Sequence, residues 1–259
     1  MTASEPDPDL EPDLEPDLEL RPGHGEDLAG VHAVFVAATA GTGHPPERRT
    51  PEQVRAWIDQ LPETGQELWV AAREGTVLGF VTMREDWVPL LFVHPDRPAR
   101  GVGEALLELV KGLRPGGFGL RVHEENGRAR SFYLRHGLVE LERTDGAAYD
   151  DAHPDLRMAW LGEDPLAFLR RRIDEVDDEL AVLLARRTAL TGAVQDHKAA
   201  SGVAAGEQGR DEQREGEIVE RMARHAPGLE HDRLRRVMHT VIAESLQAWE
   251  RRTGRTDPG

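Results

Sequence analysis

One long segment constrains the fold more than any other part of this sequence. Residues 165–199 have the period of an amphipathic helix, and their apolar side chains recur at heptad-like spacing, at Leu166, Leu169, Ile173, Val176, Leu180, Leu183, Leu190 and Val194. Such a seam predicts a long helix that packs against other helices. Arg187 takes the seam position between Leu183 and Leu190, where a charge is costly unless it is paired. A plain helical bundle would carry leucine there, so we expect this seam to do more than pack.

Three basic side chains along this helix limit the binding sites it can form. Lys198 follows Arg187 by eleven residues, or three helical turns, and therefore falls on nearly the same face. Arg170 precedes Arg187 by seventeen residues, which is about 25 Å along a helix axis. One small ligand cannot touch both arginines of a single helix. A second copy of the chain, running antiparallel, could bring its Arg170 to this copy's Arg187 and Lys198, so the pattern favours a homodimer.

The sequence changes character at residues 162–165 and indicates two domains, which the length of 259 residues also allows. Before this point strand-like and helix-like segments alternate, which predicts an α/β domain with a mixed sheet and flanking helices. After it no convincing strand appears. Asp164 suits the cap of the long helix and Pro165 its first turn. The expected organisation is a sheet domain over 18–162, an all-α three-helix bundle over 165–252, and a short tail over 253–259.

The elements expected within each domain follow from period and turn signals. ELWVAAR and VLGFVTM, separated by EGT, predict a hairpin, and the weakly polar WVPLLFV at 87–93 predicts a central strand. Further strands are expected at LELRP, GFGLRVH, LVELER and DLRMAW, and helices at EDLAGVHAVFVAATA, PEQVRAWIDQL, GVGEALLELVKGL and RARSFYLRHG. In the bundle the expected helices are 165–199, 211–225 and 229–251, with a glycine-rich loop at 201–210.

Charge and composition exclude several functions. Eight acidic residues and no basic residue lie in the first twenty positions, in a proline-rich repeat that predicts a disordered tail over 1–17. The net charge of −16 argues against nucleic acid as a partner, but not against a small anion in a local basic pocket. Cysteine is absent, which excludes disulfides and thiol catalysis, and the histidines form no ligand-like cluster, so no metal site is expected. Since the sequence has neither a membrane-spanning apolar run nor a secretory signal, we expect a cytoplasmic protein without a membrane partner.

A strand–loop–helix at 90–110 has the features of a phosphate-binding turn. A hydrophobic strand ends at Val93, and Arg100, Gly101 and Gly103 lead into a helix. Glycines let backbone N–H groups approach a phosphate, and a helix N-terminus favours an anion. The same glycines could equally shape a tight turn. The next segment, NGRARSFYLRHGL, resembles the GNAT-family N-acetyltransferases in the spacing of Asn126, Ala129, Phe132, Tyr133 and Gly137.

This resemblance covers about residues 18–162 and implies a domain that binds acetyl-CoA and acetylates an amine of unidentified kind. It implies that the Val93 strand pairs with the pantetheine, and that the pyrophosphate lies on the backbone of Arg100, Gly101, Val102, Gly103, Glu104 and Ala105. Asn126 would help to position the cofactor. Tyr133 would protonate the departing thiolate, a role open to a phenol of high pKa. A core aromatic in a short helix is the alternative for Tyr133.

One position departs from the GNAT pattern. The family usually has glutamine or arginine three residues before the first glycine, and this chain has Pro98, although the adjacent Arg97 could substitute. The pattern does not identify a general base. Glu85 and Asp86, just before the central strand, are the candidates.

Motifs of the helical part carry a second resemblance. R-x-x-I-D-x-x-D begins at Arg170, Arg187 and Lys198 follow, and after the loop D-x-x-R-E is formed by Asp211, Arg214 and Glu215. The spacing resembles the all-helical class of chorismate mutases, in which dimeric three-helix protomers share their sites. The resemblance covers residues 165–252. It implies conversion of chorismate to prephenate, in the shikimate pathway and aromatic amino acid biosynthesis or related metabolism, without a cofactor.

The same resemblance assigns roles to the charged residues. The rearrangement is pericyclic, so the enzyme has to hold a compact conformer and stabilise the negative charge that grows on the ether oxygen. Arg187 and the partner's Arg170 would clamp carboxylates. Lys198 would reach a carboxylate and the ether oxygen. The ring hydroxyl would be bound by Asp211 or Glu215, with cationic support from Arg214, and a family serine is matched by Ser245.

Two departures from the chorismate mutase pattern keep alternatives open. The glycine-rich loop before Asp211 is longer than usual and could act as a mobile lid. Trp249 stands where a glutamine or glutamate usually contacts the ether oxygen. Isochorismate-pyruvate lyases have a similar I-A-E-x-x-x-x-W run, so isochorismate and amino-deoxychorismate are alternative substrates. A bundle that only dimerises an acetyltransferase is the alternative of another class.

Overall fold

Six ranges of the chain are described by the computed structural model: residues 17–40, 50–97, 101–144, 154–201, 212–225 and 228–254. The chain divides into two compact units, Met1–Leu169 and Arg170–Gly259. The predicted acidic tail up to residue 16, most of the glycine-rich loop, Arg100 and Asp211 lie outside the described ranges. Within those ranges no helix combines the length and apolar character needed to cross a membrane.

In its described residues the first unit has one mixed sheet of seven strands, in the order β1-β2-β3-β4-β5-β7-β6. The strands are Glu19–Pro22 (β1), Glu67–Arg73 (β2), Thr76–Arg84 (β3), Trp87–Val93 (β4), Phe118–His123 (β5), Val139–Thr144 (β6) and Asp155–Trp160 (β7). The helices that flank the sheet are Leu28–Thr39 (α1), Pro51–Asp59 (α2), Val102–Leu113 (α3) and Gly127–Arg135 (α4). The predicted mixed sheet with flanking helices is therefore confirmed, with β4 as its central strand.

Turn and cap residues explain where several of these elements begin. Glu74 and Gly75 both have positive φ, 48° and 75°, the geometry of the two-residue turns favoured between antiparallel strands. They join β2 to β3 in the predicted hairpin. Thr50 and Gln53 form a capping box at the start of α2, with Pro51 in its first turn.

Helices bury both faces of this sheet. On one face, Val102, Leu106 and Val110 of α3 belong to an apolar cluster that also includes Val81 and Met83 of β3. On the other face, α1 and α2 cover the strands β2 to β4 through a cluster that includes Val31, Phe35, Ile58, Val70 and Phe80. A Cβ on Gly79 of β3 would lie 2.9 Å from Cγ1 of Val102, so only glycine permits this approach of α3. Helix α3 is therefore held tightly against the sheet.

The parallel strands β4 and β5 pair over a short distance and then separate. Their register joins Trp87 to Gly119 and Val88 to Leu120, and no further pair follows between the two strands, both of which are described throughout. β4 nevertheless continues to Val93 and β5 to His123. The sheet therefore opens into a cleft between the carboxyl ends of its two central parallel strands.

Helix α5 (Pro165–Ala200) begins inside the first unit. Oδ1 of Asp164 accepts a hydrogen bond from the backbone N–H of Ala167 at 3.0 Å, so the predicted cap is confirmed. Phe168 is buried, and its Cδ2 lies 2.5 Å from where a Cβ on Gly117 would be. The first turn of α5 thus belongs to the core of the sheet unit.

In the described ranges, the second unit consists of the rest of α5 with α6 (Glu212–His225) and α7 (His231–Thr253). Its helical character confirms the predicted all-α region. Val219 of α6 packs with Leu234 and Met238 of α7 in a small apolar core. This core is far smaller than those that cover the sheet, and it contains no buried residue of α5.

The apolar seam of α5 is exposed in the single chain. Ile173, Val176, Leu183 and Leu190 are 59%, 62%, 58% and 61% exposed. A contiguous apolar surface of this kind usually marks an interaction site. The buried positions of α5 in this unit are Gly192 and Gln195, so the face that is covered within one chain is not the seam.

Candidate functional sites

The N-terminus of α3 is open to an anion. Gly101 is its N-cap in the left-handed conformation, with φ of 80°, and no side chain of the described residues caps the helix. The first backbone bond of the helix runs from the N–H of Ala105 to the carbonyl of Gly101, so the N–H groups of residues 102–104 have no intrahelical partner. A Cβ on Gly103 would lie 3.5 Å from Val93 and from Phe132. A helix start of this kind favours an anion, and the predicted binding of a phosphate there stays a prediction.

Tyr133 and Asn126 lie on α4 and its cap. Oδ1 of Asn126 accepts a hydrogen bond from the backbone N–H of Ala129 at 3.0 Å, so Asn126 starts the helix. Tyr133 is buried in the core cluster of α3 and β5, with its ring 5.2 Å from that of Phe132. Burial raises the pKa of the Tyr133 phenol, which is therefore protonated at neutral pH, as an ordinary tyrosine also is. Tyr133 is thus a core aromatic, and its role as a proton donor stays a prediction.

Three side chains considered at the sequence level have other surroundings. Nη1 of Arg97 donates to the backbone carbonyl of Val77 at 3.0 Å, so its guanidinium is at least partly engaged by the fold. Glu85 and Asp86 form the turn before β4, and the carbonyl of Asp86 accepts from the N–H of Gly119. This turn is at the closed end of the cleft, opposite Val93.

The structure has a buried carboxylate, that of Asp155, next to the cleft, and the sequence analysis did not identify it. Asp155 of β7 is fully buried, and its Oδ2 accepts a hydrogen bond from Nη1 of Arg121 at 2.8 Å. Its Oδ1 lies 3.0 Å from Nδ1 of His123, an ion-pair distance at which the two groups are not aligned for a hydrogen bond. Arg121 and His123 are two residues apart on the part of β5 that follows its last pair with β4, and they therefore lie on the same face of the sheet. The carboxylate thus lies next to an imidazole on the part of β5 that no longer pairs with β4.

In the second unit, Arg187 lies between α5 and α7. Its Nη1 donates to Oγ of Ser245 at 3.0 Å and to the carbonyl of Val241 at 3.4 Å. Burial lowers the pKa of Arg187, and the carboxylate of Glu215 on α6 acts in the opposite direction. Three of the predicted site residues, one from each helix, are thus brought together: Arg187, Glu215 and Ser245.

The other predicted residues of this unit are more dispersed. Lys198 is half-buried on α5, and Arg214 is exposed on α6. Arg170 is exposed at the opposite end of α5 from Lys198, so a single chain does not bring it to Arg187. Asp211 lies outside the described residues.

Trp249 is tied to α5 by its indole. Nε1 of Trp249 donates to Oδ1 of Asp196 at 2.7 Å, and Nη2 of Arg252 donates to Oδ2 of the same carboxylate at 2.7 Å. Trp249 is buried, and its indole has no second donor. Asp196 was not singled out from the sequence, because 53 residues separate it from Trp249.

Gln195, next to Asp196, is a second buried polar residue that the sequence analysis missed. It is 5% exposed, and its Oε1 has no hydrogen-bond partner among the described residues. It lies eight residues after Arg187 and three before Lys198 on the same helix. Buried side-chain amides are nearly always paired, so this one needs an explanation.

Two family models match separate parts of the chain. The model for chorismate mutase type II matches residues 169–249, and the model for the acetyltransferase (GNAT) domain matches residues 64–140. The first range contains Arg187, Lys198 and Ser245 and ends at Trp249. The second contains Gly101 and Tyr133.

Similar proteins of known name match the sheet unit. The peptidyl-lysine N-acetyltransferase YjaB of Escherichia coli K12 is 29% identical over 110 residues, covering 42% of this chain and 71% of that protein. YjaB of Salmonella typhimurium LT2 is 30% identical over 103 residues, covering 39% and 69%. The peptidyl-lysine N-acetyltransferase YiaC of E. coli K12 is 36% identical over 71 residues, covering 27% and 48%.

Solved structures resemble the same part of the chain. The solution structure of apo YjaB from E. coli has a TM-score of 0.45 at 24% identity and covers 56% of this chain and 98% of that one. The structure of yncA from S. typhimurium with its cofactor acetyl-CoA has a TM-score of 0.46 at 14% identity and covers 57% and 95%.

Proposed function

Because the chain belongs to the GNAT acetyltransferases in its sheet unit and to the type II chorismate mutases in its helical unit, we propose that it is a bifunctional enzyme. The helical unit converts chorismate to prephenate, and the sheet unit transfers an acetyl group from acetyl-CoA to an amine. The observation that carries the first activity is the half-buried Arg187 beside Ser245 and Glu215. A cytoplasmic location stays a prediction of the sequence.

The proposed mutase site needs charge and shape but no nucleophile. Arg187 is held by Ser245, so its guanidinium is oriented before a carboxylate binds. Lys198 extends the positive charge along the same face of α5. Positive charge that is fixed and partly desolvated stabilises a developing oxyanion better than the same charge in water. This arrangement supports a dianionic substrate whose ether oxygen gains negative charge.

A homodimer completes this proposed site. Arg170 lies about 25 Å from Arg187 along α5, too far to share a small ligand within one chain. The exposed apolar seam between these arginines is suited to burial against the same seam of a second copy running antiparallel. Such pairing would bring the partner's Arg170 to each Arg187.

Two related substrates remain candidates because of Trp249. Its indole N–H is engaged by Asp196, so it does not replace a glutamine or glutamate as a donor to the ether oxygen. Isochorismate, which the lyase cleaves to salicylate and pyruvate, and amino-deoxychorismate carry the same two carboxylates as chorismate. A bundle that serves only to dimerise the acetyltransferase is the candidate of another class.

Purified full-length protein should be assayed with chorismate, isochorismate and amino-deoxychorismate side by side. We expect loss of chorismate absorbance, and we expect Arg187→Ala to lower kcat/KM by about 10²–10³-fold. Arg186→Ala is the matched control, because Arg186 is the exposed neighbour on the same helix. Equal turnover by the two variants, or no turnover of chorismate by the wild type, would contradict the mutase proposal. Salicylate and pyruvate from isochorismate would favour the lyase.

The residues of the sheet unit suit acetyl-CoA. The uncapped N-terminus of α3 behind the left-handed Gly101 would hold the pyrophosphate, and the edge of β4 that no longer pairs with β5 after Val88 would hold the pantetheine. Acetyl-CoA supplies an activated acetyl thioester when bound. Tyr133, a phenol that is protonated at neutral pH, would release its proton to the leaving sulfur.

The proposed base on the other side of the reaction is His123. Asp155 lies at its Nδ1, so Nε2 is the nitrogen that would accept the proton lost by the amine. The acceptor we propose is the ε-amine of lysine in a peptide, because YjaB and YiaC are named peptidyl-lysine N-acetyltransferases. Glu85 and Asp86 are less suitable, since they lie at the closed end of the cleft.

Calorimetry with acetyl-CoA tests the sheet unit directly. We expect binding heat with the wild type and its loss in Gly101→Val. Gly65→Val is the matched control, because Gly65 has a similar positive φ and equally open space but lies outside the proposed cradle. His123→Ala should keep the binding heat but lower acetylation of a lysine peptide by about 10²–10⁴-fold. Absence of heat with the wild type well above micromolar concentration would contradict acetyl-CoA binding.

A further inference from the structure

We propose that Gln195 is a catalytic residue of the helical unit and donates a hydrogen bond from its side-chain amide to the ether oxygen of the substrate. The inference rests on the proposed rearrangement of chorismate or a close analogue. Gln195 would supply the hydrogen bond to the ether oxygen that Trp249, in place of the usual glutamine or glutamate, does not make.

Trp249 is unsuited to this role because its single donor is already used. The indole N–H points at Asp196 over 2.7 Å, and Arg252 fixes the second oxygen of that carboxylate. Turning the indole towards a ligand would break this bond and leave the buried indole N–H without its partner. A donor to the ether oxygen therefore has to come from another side chain.

Gln195 is such a side chain. It is 5% exposed, yet its Oε1 finds no hydrogen-bond partner among the described residues. An amide carries donors and acceptors at one end of the side chain, and rotation of the amide exchanges the N–H group for the oxygen. Leaving such a group unpaired in the fold is unfavourable, and a bound polar ligand would remove the penalty.

Gln195 lies on α5 between two groups of residues: the basic pair Arg187 and Lys198, and Asp196, which contacts Trp249 of α7. At about 100° per residue, Lys198 is about 20° around the helix from Arg187, Gln195 is about 80° away, and Asp196 is about 180° away. Arg187 contacts α7 at Ser245, and Asp196 contacts it one turn later at Trp249. Gln195 is therefore central on the covered face of α5, next to the basic pair.

A neutral donor at this place suits the chemistry beside the cationic Lys198. One C–O bond of the ether breaks and one C–C bond forms within the same molecule, so no atom, electron pair or proton is exchanged with the enzyme. The ether oxygen gains partial negative charge in the transition state only, and a fixed N–H donor lowers the barrier without any proton transfer. A glutamine amide meets this requirement at every pH at which the protein is folded.

Two substitutions separate this role from a structural one. Gln195→Leu keeps most of the volume and removes the amide, and we expect kcat to fall about 10²–10³-fold with KM within about threefold. Because Leu also removes an unpaired buried polar group, the melting temperature of the variant should be equal to or above that of the wild type. A residue needed only for packing would give lower stability together with lower activity. Gln247→Leu is the control, as Gln247 is exposed on α7.

Gln195→Glu adds a second, independent readout. A carboxyl group donates a hydrogen bond only when protonated, so kcat of this variant should rise as the pH falls, while the wild type stays flat over the same range. Charged groups on the neighbouring faces of the three helices are present in both proteins and cancel in the comparison: Arg187, Lys198, Asp196, Glu215 and Arg252.

The outcomes distinguish this inference from the proposed function. A wild type that turns over none of the three substrates overturns both. An active wild type with Gln195→Leu within threefold of it overturns the role of Gln195 alone. A Gln195→Leu variant with lowered melting temperature, and a Gln195→Glu variant with a flat pH profile, also overturn it.

Discussion

The sheet unit buries its large apolar side chains within one chain, whereas the helical unit leaves a row of them exposed along α5. The first unit has two extensive apolar clusters, one on each face of the sheet. The second has a small cluster between α6 and α7, and the seam from Ile173 to Val194 contributes nothing to it. Apolar surface of this extent is stabilised only when it is removed from water. One copy of the chain therefore buries the large apolar side chains of the sheet but leaves the seam of α5 exposed.

The proposed sites differ in the same way. Gly101, Tyr133 and His123 all belong to the sheet unit of one chain. Arg170 and Arg187 belong to one helix but are too far apart to act on one small molecule. Disruption of the proposed dimer should therefore affect one activity and spare the other.

The largest expected effect comes from placing charges on the seam. Leu180→Asp combined with Leu183→Asp should give a monomer in analytical ultracentrifugation, because two carboxylates cannot be buried against a second seam. Chorismate turnover should fall more than about 100-fold, since each site then lacks the partner's Arg170. The heat of acetyl-CoA binding should be unchanged.

Val182→Asp is the control for this experiment. Val182 is as exposed as the seam residues but lies off their heptad positions. It should leave both the dimer and chorismate turnover intact. Loss of the dimer in this control would contradict pairing through the seam. Full turnover by the seam variant as a monomer would contradict a mutase site that needs two copies.

A smaller effect is expected inside the sheet unit, where the buried charges are paired. Asp155→Ala leaves Arg121 and His123 without their carboxylate and should lower the free energy of unfolding of this unit by about 3 kcal/mol. Asp59→Ala removes an exposed partner of Arg55 and should change it by less than about 1 kcal/mol. Denaturant unfolding followed by tryptophan fluorescence measures both. Equal effects would show that the buried cluster contributes no more than a surface pair.

The smallest effect is the pH dependence that Tyr133 confers on the stability of the sheet unit. Burial raises the pKa of Tyr133 in the folded state, so the protonated phenol favours folding. This contribution is complete below the ordinary tyrosine pKa of about 10 and is lost as the pH rises above it. The free energy of unfolding should therefore fall with pH above about 10 in the wild type and less steeply in Tyr133→Phe. Parallel curves for the two proteins would contradict the assignment.

Local signals predicted much of the sheet unit. The Glu74-Gly75 turn specified the β2–β3 hairpin, the glycines before α3 indicated its open N-terminus, and Asp164 marked the start of α5. Each of these features depends on a few neighbouring residues. The cluster around Asp155 depends on the pairing of β5 with β7, and the 34 residues between Arg121 and Asp155 hide it from any local pattern.

In the helical unit, the sequence predicted which charged residues belong to the candidate site, but not the side chains that they and Trp249 contact. Arg187 was singled out because a cation interrupts an apolar seam, and its Nη1 lies 3.0 Å from Oγ of Ser245. Its role in binding a carboxylate stays a prediction. The bond between Trp249 and Asp196 joins residues 53 apart, and periodicity gives the face of a helix without the partner of each side chain. The unpaired amide of Gln195 is visible only once its burial and its contacts are known.

Mixing two inactive variants tests the shared site most directly. Arg170→Ala and Arg187→Ala should each abolish chorismate turnover as homodimers. In a mixed dimer one site contains both substitutions and the other contains neither, so co-expression of the two should restore about a quarter of wild-type activity. Recovery near a quarter would support a site built from two copies of the chain. Turnover by Arg170→Ala alone at the wild-type rate, or no recovery in isolated mixed dimers, would contradict it.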